Sequence, residues 1–191
     1  MPRVLVPLAE GFEEIEAVTL VDVLRRAGVE VVVAGLGGAG AVRGSHGIAV
    51  QADAPLDAAL REAETHPFDM VVLPGGEPGT TNLAADARLS ALVQRFVREN
   101  RPIGAICAAP RLLAAEGLLR GRAATSHPSV EAELRRGGAR YDTGRVVRDG
   151  QLVTSRGPGT ALEFALALLE MLGAAERAIE LRRAMLAAVP G

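Results

Sequence analysis

One cysteine is present in the 191 residues, and it lies in the apolar run Pro102-Ile103-Gly104-Ala105-Ile106-Cys107-Ala108-Ala109-Pro110. Pro102 to Ile106 reads as a short buried strand and Pro110 to Ala115 as the first turns of a helix, which puts Cys107 at a strand-to-helix turn. The free amides and positive dipole end of a helix N-terminus favour a thiolate, so a thiol pKa below the reference of about 8.5 is expected. Small residues surround it, Gly104, Ala105, Ala108 and Ala109, as a sharp turn packed on both sides requires. The pattern is that of a nucleophile elbow with sulfur in place of a serine oxygen. A lone cysteine can also be a small hydrophobe that only fills space, so the reading depends on its partners.

A thiolate attacking a carbonyl needs donors for the developing oxyanion and a group that carries a proton. The backbone amides of Gly75, Gly76 and Ala108 are available as donors, and His127 together with a carboxylate from the first helix as proton carriers. Glu14 shares a helix face with Arg25. Glu13 is in line with Ala17, Leu20 and Leu24, and Glu16 with Leu20, Val23 and Ala27, so either of these two could point inward. An inward carboxylate would be desolvated and its pKa raised, making it a donor to a thiolate. His66, before Pro67, reads as a surface loop residue and His46 as a hairpin residue.

These groups converge only if strands and helices alternate. Arg3 to Ala9, Val29 to Ala34 and Asp69 to Leu73 read as buried strands, the last running into Pro74-Gly75-Gly76. Helices are expected at about Glu13 to Ala27, Asp57 to Ala63, Asp86 to Asn100, after Pro128 through Leu134, and at about Ala174 to Ala188. Val42 to Val50 and Arg145 to Thr154 read as hairpins, and Thr160-Ala161-Leu162-Glu163 has the form of a capping box. The alternation predicts an open parallel sheet covered by helices on both faces, with a site at the carboxyl ends of its strands. No linker or repeat interrupts it, so residues 1–191 read as a single domain.

Composition narrows the function classes. With 49% hydrophobic and 23% charged residues the chain is of ordinary globular type, and a formal net charge of -2 offers no basic face for nucleic acid or anionic membrane. No run approaches the roughly 18 apolar residues of a membrane span, and Phe164 to Leu172 is cut by Glu170. A single thiol cannot form an intramolecular disulfide, and Met1-Pro2-Arg3 leads directly into strand-like sequence; a cytoplasmic protein is expected. The spacing offers no metal-ligand cluster.

The Glu13-Glu14-Ile15-Glu16 helix start, Val71-Val72-Leu73-Pro74-Gly75-Gly76, Ala105-Ile106-Cys107-Ala108-Ala109-Pro110, Ser126-His127-Pro128 and Thr154-Ser155-Arg156-Gly157-Pro158-Gly159-Thr160 together resemble the ThiJ/PfpI superfamily. Within it the resemblance is to the branch of the Parkinson-disease protein and its bacterial ThiJ-like relatives. It implies an α/β flavodoxin-like three-layer sandwich with a mostly parallel sheet, and a homodimer. Carried over onto this chain, the reactive cysteine falls on Cys107, its acidic partner on Glu16 rather than Glu13, its histidine on His127, and its oxyanion amides on Gly75, Gly76 and Ala108. The superfamily's peptidases place a histidine directly after the cysteine, where this chain has Ala108. Class I glutamine amidotransferases need a late His-x-Glu pair, and no histidine follows His127.

The function implied by that resemblance is a cysteine-dependent enzyme acting on reactive carbonyls, of the glutathione-independent glyoxalase or deglycase type. Its partners would be small reactive aldehydes or glycated adducts, with no metal or other cofactor. The alternative is an oxidation-sensing stress-response or chaperone-like protein, in which Cys107 passes to sulfenic or sulfinic acid and a protonated Glu16 holds the sulfinate.

Overall fold

A strand apolar on both faces has to be covered twice, and Arg3–Leu8 and Met70–Leu73 are buried along their whole length. The computed structural model, which describes residues 1–187, shows what covers them. The first half of the chain forms β1 (Arg3–Leu8), α1 (Glu14–Arg26), β2 (Glu30–Gly35), β3 (Ala41–Arg43), β4 (Ala49–Gln51), β5 (Ala54–Pro55), α2 (Leu56–Glu62), β6 (Met70–Leu73), α3 (Gly79–Ala84) and α4 (Ala87–Arg98). The second half forms β7 (Ile103–Ile106), α5 (Pro110–Ala115), β8 (Ala123–Ala124), α6 (Glu131–Arg136), β9 (Arg140–Tyr141), β10 (Val146–Asp149), β11 (Leu152–Ser155), α7 (Ala161–Met171) and α8 (Ala175–Ala184). Ala188, the expected end of the last helix, lies outside the described residues.

Seven strands make the central sheet in the order β10-β11-β7-β6-β1-β2-β5. Its neighbours pair in parallel except for the edge hairpin β10–β11, so the sheet is mostly rather than wholly parallel. The pleat divides the apolar side chains between two cores. Leu5, Val71 and Leu73 pack with Leu56, Leu89, Phe96, Leu112 and Leu134 from α2, α4, α5 and α6. Val4, Val6, Met70 and Val72 pack on the other face with Leu20, Leu24, Phe164, Leu168 and Ala178 from α1, α7 and α8. This is the three-layer sandwich of the flavodoxin-like α/β class.

Two local expectations are corrected. Thr160 does not form a capping box with Glu163. Its hydroxyl lies 2.6 Å from that of Ser155 and accepts the Gly157 amide at 3.1 Å, while both carboxylate oxygens of Glu163 are taken by Arg145. Asp86 precedes its helix rather than starting it, its side chain accepting the Arg88 and Leu89 amides as an N-cap. The short α3 before it had no clear apolar periodicity to announce it.

Candidate active site

The carboxyl ends of β1, β6, β7 and β11 deliver four segments to one edge of the sheet. At the end of β7 the chain turns into α5 through Cys107, whose φ of 63° lies in the left-handed region. For a residue with a side chain this conformation costs about 1–2 kcal/mol, so its surroundings must hold it. The Cys107 amide donates to the Ser155 carbonyl at 3.0 Å, and its own carbonyl accepts the His127 amide at 2.8 Å. Ser155 was not among the expected site residues, although it sits within the Thr154 to Thr160 motif.

Glu16 comes from the first turn of α1 and is wholly buried. Its Oε2 accepts the Gly75 amide at 2.8 Å, its carboxyl interacts directly with the Cys107 thiol, and its Oε1 is buried without a hydrogen-bond partner among the described residues. Burial pushes the carboxyl up to about 7, against the Gly75 amide and the thiol, which favour the charged form. Spacing left Glu13 and Glu16 open. The geometry separates them: Glu13 is the N-cap of α1, its carboxylate accepting the Glu16 amide at 2.7 Å.

Burial, together with the charge of an ionised Glu16, pushes the Cys107 thiol up to about 12. The amides of Ala108 and Gly76 hydrogen-bond the sulfur and act the other way. The lowered thiol pKa expected from a helix N-terminus is therefore not realised, because burial first and the Glu16 charge second outweigh the two amides. Thiol and carboxyl compete for one proton. When Glu16 holds it, the opposing charge disappears, and the two amide donors then act against burial alone.

Of the expected oxyanion donors, Gly76 and Ala108 meet at the sulfur, while the Gly75 amide is engaged by Glu16. A Cβ on Gly75 would lie 2.6 Å from Cys107 Cβ and 2.8 Å from Glu16 Oε2, so only glycine lets the carboxyl reach the thiol. His127 adjoins the site through its main chain. Its exposed ring is held by Ser129, Nδ1 lying 2.8 Å from Ser129 Oγ and accepting the Ser129 amide at 3.2 Å.

Glu14 departs from the face it shares with Arg25. It is buried beneath the β3–β4 ribbon, where its carboxylate accepts the His46 amide at 2.6 Å and pairs with His46 Nδ1 at 2.9 Å. The helix's own periodicity carries no record of a ribbon folding over its first turn. Glu13, Glu14 and His46 bring three possible metal-ligand atoms within 4.8 Å of one another, a grouping that sequence spacing did not show. Their carboxylates are already bonded to amides and to the His46 ring. No helix among the described residues is long and apolar enough to cross a membrane.

Comparison with known proteins places this geometry among relatives. A family model described as the DJ-1/PfpI family matches residues 2–171. Protein DJ-1 homolog B of Arabidopsis thaliana is 43% identical over 186 residues, covering 97% of this chain but 41% of that protein, so the chain spans less than half of that relative. A Caenorhabditis elegans protein named glutathione-independent glyoxalase DJR-1.2 is 37% identical over 168 residues, covering 88% of this chain and 87% of its own. The crystal structure of Drosophila melanogaster DJ-1beta matches with a TM-score of 0.91 at 41% identity, over 98% of this chain and 99% of that one.

Proposed function

The chain belongs to the DJ-1/PfpI family, and from that premise we propose that it is a cysteine-dependent enzyme acting on reactive 2-oxoaldehydes without glutathione. One observation carries the reading: a wholly buried Glu16, with one oxygen unpartnered among the described residues, set against the Cys107 thiol. Cys107 is the nucleophile and Glu16 the acid and base. The thiolate bonds to the aldehyde carbon, the carbonyl electron pair moves to oxygen beside the Gly76 and Ala108 amides, and Glu16 supplies the proton that completes a hemithioacetal. Glu16, now ionised, takes the proton from that carbon and returns it to the neighbouring carbon through an enediol, leaving a 2-hydroxyacyl thioester. Water cleaves the thioester to the hydroxy acid and restores the thiol. One carbon is oxidised and its neighbour reduced, so no external oxidant is required. His127 relays protons to solvent once its ring turns from Ser129.

The reading includes a single domain over residues 1–191 and a cytoplasmic homodimer. Ile15 and Val18 on α1 and Ile48 in the β3–β4 ribbon, all exposed, support an apolar contact of that kind. A second reading, an oxidation sensor, draws on the same unpartnered Glu16 oxygen, which as a protonated carboxyl would donate to a Cys107 sulfinate.

The test is consumption of methylglyoxal without glutathione by the wild-type protein and Cys107→Ser, with lactate quantified. Stoichiometric lactate over many turnovers from wild type alone supports the enzyme. Loss of methylglyoxal without lactate, or one equivalent per subunit, refutes it in favour of the sensor.

A further inference from the structure

The two amides that address the Cys107 sulfur belong to different loops. Gly76 follows β6, and Ala108 follows β7. The β6–β7 ladder stops at Leu73 opposite Ala105, and both loops have left the sheet where their amides meet the sulfur. A side-chain bridge spans them beyond that point. The Arg111 guanidinium binds Glu77 Oε1 at 2.7 Å and Thr81 Oγ1 at 2.6 Å, and the Thr81 hydroxyl donates to Glu77 Oε2 at 2.9 Å.

The bridge is joined to both peptides in question. Glu77 directly follows Gly76, and the Arg111 amide donates to the Ala108 carbonyl at 3.1 Å. We propose that Arg111 and Glu77 are positioning residues, a strap that keeps the Gly76 and Ala108 amides together on the Cys107 sulfur. The strap touches neither the sulfur nor Glu16 directly. It acts through the two peptides; its hydrogen bonds are charge-assisted, with the Arg111 end partly covered and the Glu77 end exposed to water. The inference rests on reading Cys107 as the reactive group but not on glyoxalase turnover.

The sign of one substitution separates positioning from simple charge. Glu77→Gln removes a negative charge, which on its own would make thiolate formation easier. If the strap positions the amides, the same change loosens two donors and makes it harder. The pH dependence of iodoacetamide alkylation of Cys107 reads this directly, with Glu16 and Glu13 as the other titratable groups facing the pair. The strap predicts a midpoint shifted to higher pH in Glu77→Gln, with alkylation slowed roughly threefold to tenfold below it, the scale of one weakened hydrogen bond. Arg111→Met shifts in the same direction, Arg111→Lys by less, and the reversed pair Arg111→Glu with Glu77→Arg recovers part of the loss. An unchanged or lowered midpoint in folded Glu77→Gln overturns the inference, as does a shift in Arg111→Met that the reversed pair leaves in full. Failure of methylglyoxal turnover with these shifts intact would count against the proposed reaction alone.

Discussion

The Glu16 carboxyl and the Cys107 thiol meet across the Gly75 amide, which Glu16 Oε2 accepts at 2.8 Å. The two residues lie 91 positions apart in the chain (107 minus 16). They are brought together because α1 starts where β1 ends and Cys107 turns where β7 ends, at the same edge of the sheet. An oxygen acid pushed up by burial stands beside a sulfur acid pushed up by burial and by its neighbour's charge. The proposed chemistry uses that closeness, since a carboxyl raised to about 7 can give or take a proton beside the sulfur near neutral pH.

Glu16→Gln separates the two parts. Glutamine is neutral at every pH and keeps a donor near the sulfur, but it cannot accept a proton. Methylglyoxal turnover is expected to fall by about 100-fold to 10,000-fold while Cys107 stays open to iodoacetamide. Equal loss of alkylation and turnover would show that Glu16 serves only the thiol.

Gly75→Ala tests the close approach. The added methyl would stand 2.6 Å from Cys107 Cβ and 2.8 Å from Glu16 Oε2, so the carboxyl or the loop must move. Destabilisation of about 1–3 kcal/mol, read by urea unfolding, and a turnover loss on the order of 100-fold are expected. Wild-type turnover in this variant would mean that the Glu16–Gly75 contact is not needed.

How much of this was legible in the sequence depended on whether a residue's environment is made by its own segment. Cys107 announced itself because the apolar strand, the small residues and Pro110 are contiguous. The inward set on α1 could be read from helical period, yet period could not separate Glu13 from Glu16, since both lie over the same apolar stripe; capping by one and the other's contact with Gly75 and Cys107 decided it. Glu14 was misplaced because its partners Ser45, His46 and Ile48 come from the β3–β4 ribbon. The lowered thiol pKa failed for a similar reason. The local helix end was visible, while the depth of burial and the distant carboxylate that oppose it were not visible in the Cys107 segment.

Backbone strain at the elbow is measurable with two variants. Cys107 turns at φ 63°, where glycine pays no Cβ penalty and alanine pays it in full. Both variants lose the thiol, so comparing them isolates the backbone. Cys107→Gly is expected to be more stable than Cys107→Ala by about 1 kcal/mol in urea denaturation. Equal stability would place the turn at no conformational cost.

Two buried glutamates on one helix turn give stability opposite dependences on pH. For Glu14, burial raises the carboxyl, but the His46 ring and the surrounding amides outweigh it and hold the pKa at about 2, below its ordinary 4.5. The unfolded chain binds this proton first, so the stability Glu14 contributes is complete above pH 4.5 and is lost as pH falls through about 2. Glu16 is raised to about 7, so the folded form keeps a proton that the unfolded chain has released above 4.5. Its contribution is complete below pH 4.5 and is lost as pH rises through about 7. Urea midpoints from pH 2 to 8 should therefore fall at both ends. Glu14→Gln should flatten the acid limb and cost on the order of 2 kcal/mol at neutral pH, less than the full shift because the His46 partner is open to water. Glu16→Gln should flatten the limb between 4.5 and 7 and leave the acid one. An acid limb that survives in Glu14→Gln would assign acid sensitivity to other carboxylates and remove the ribbon's hold on α1 as its source.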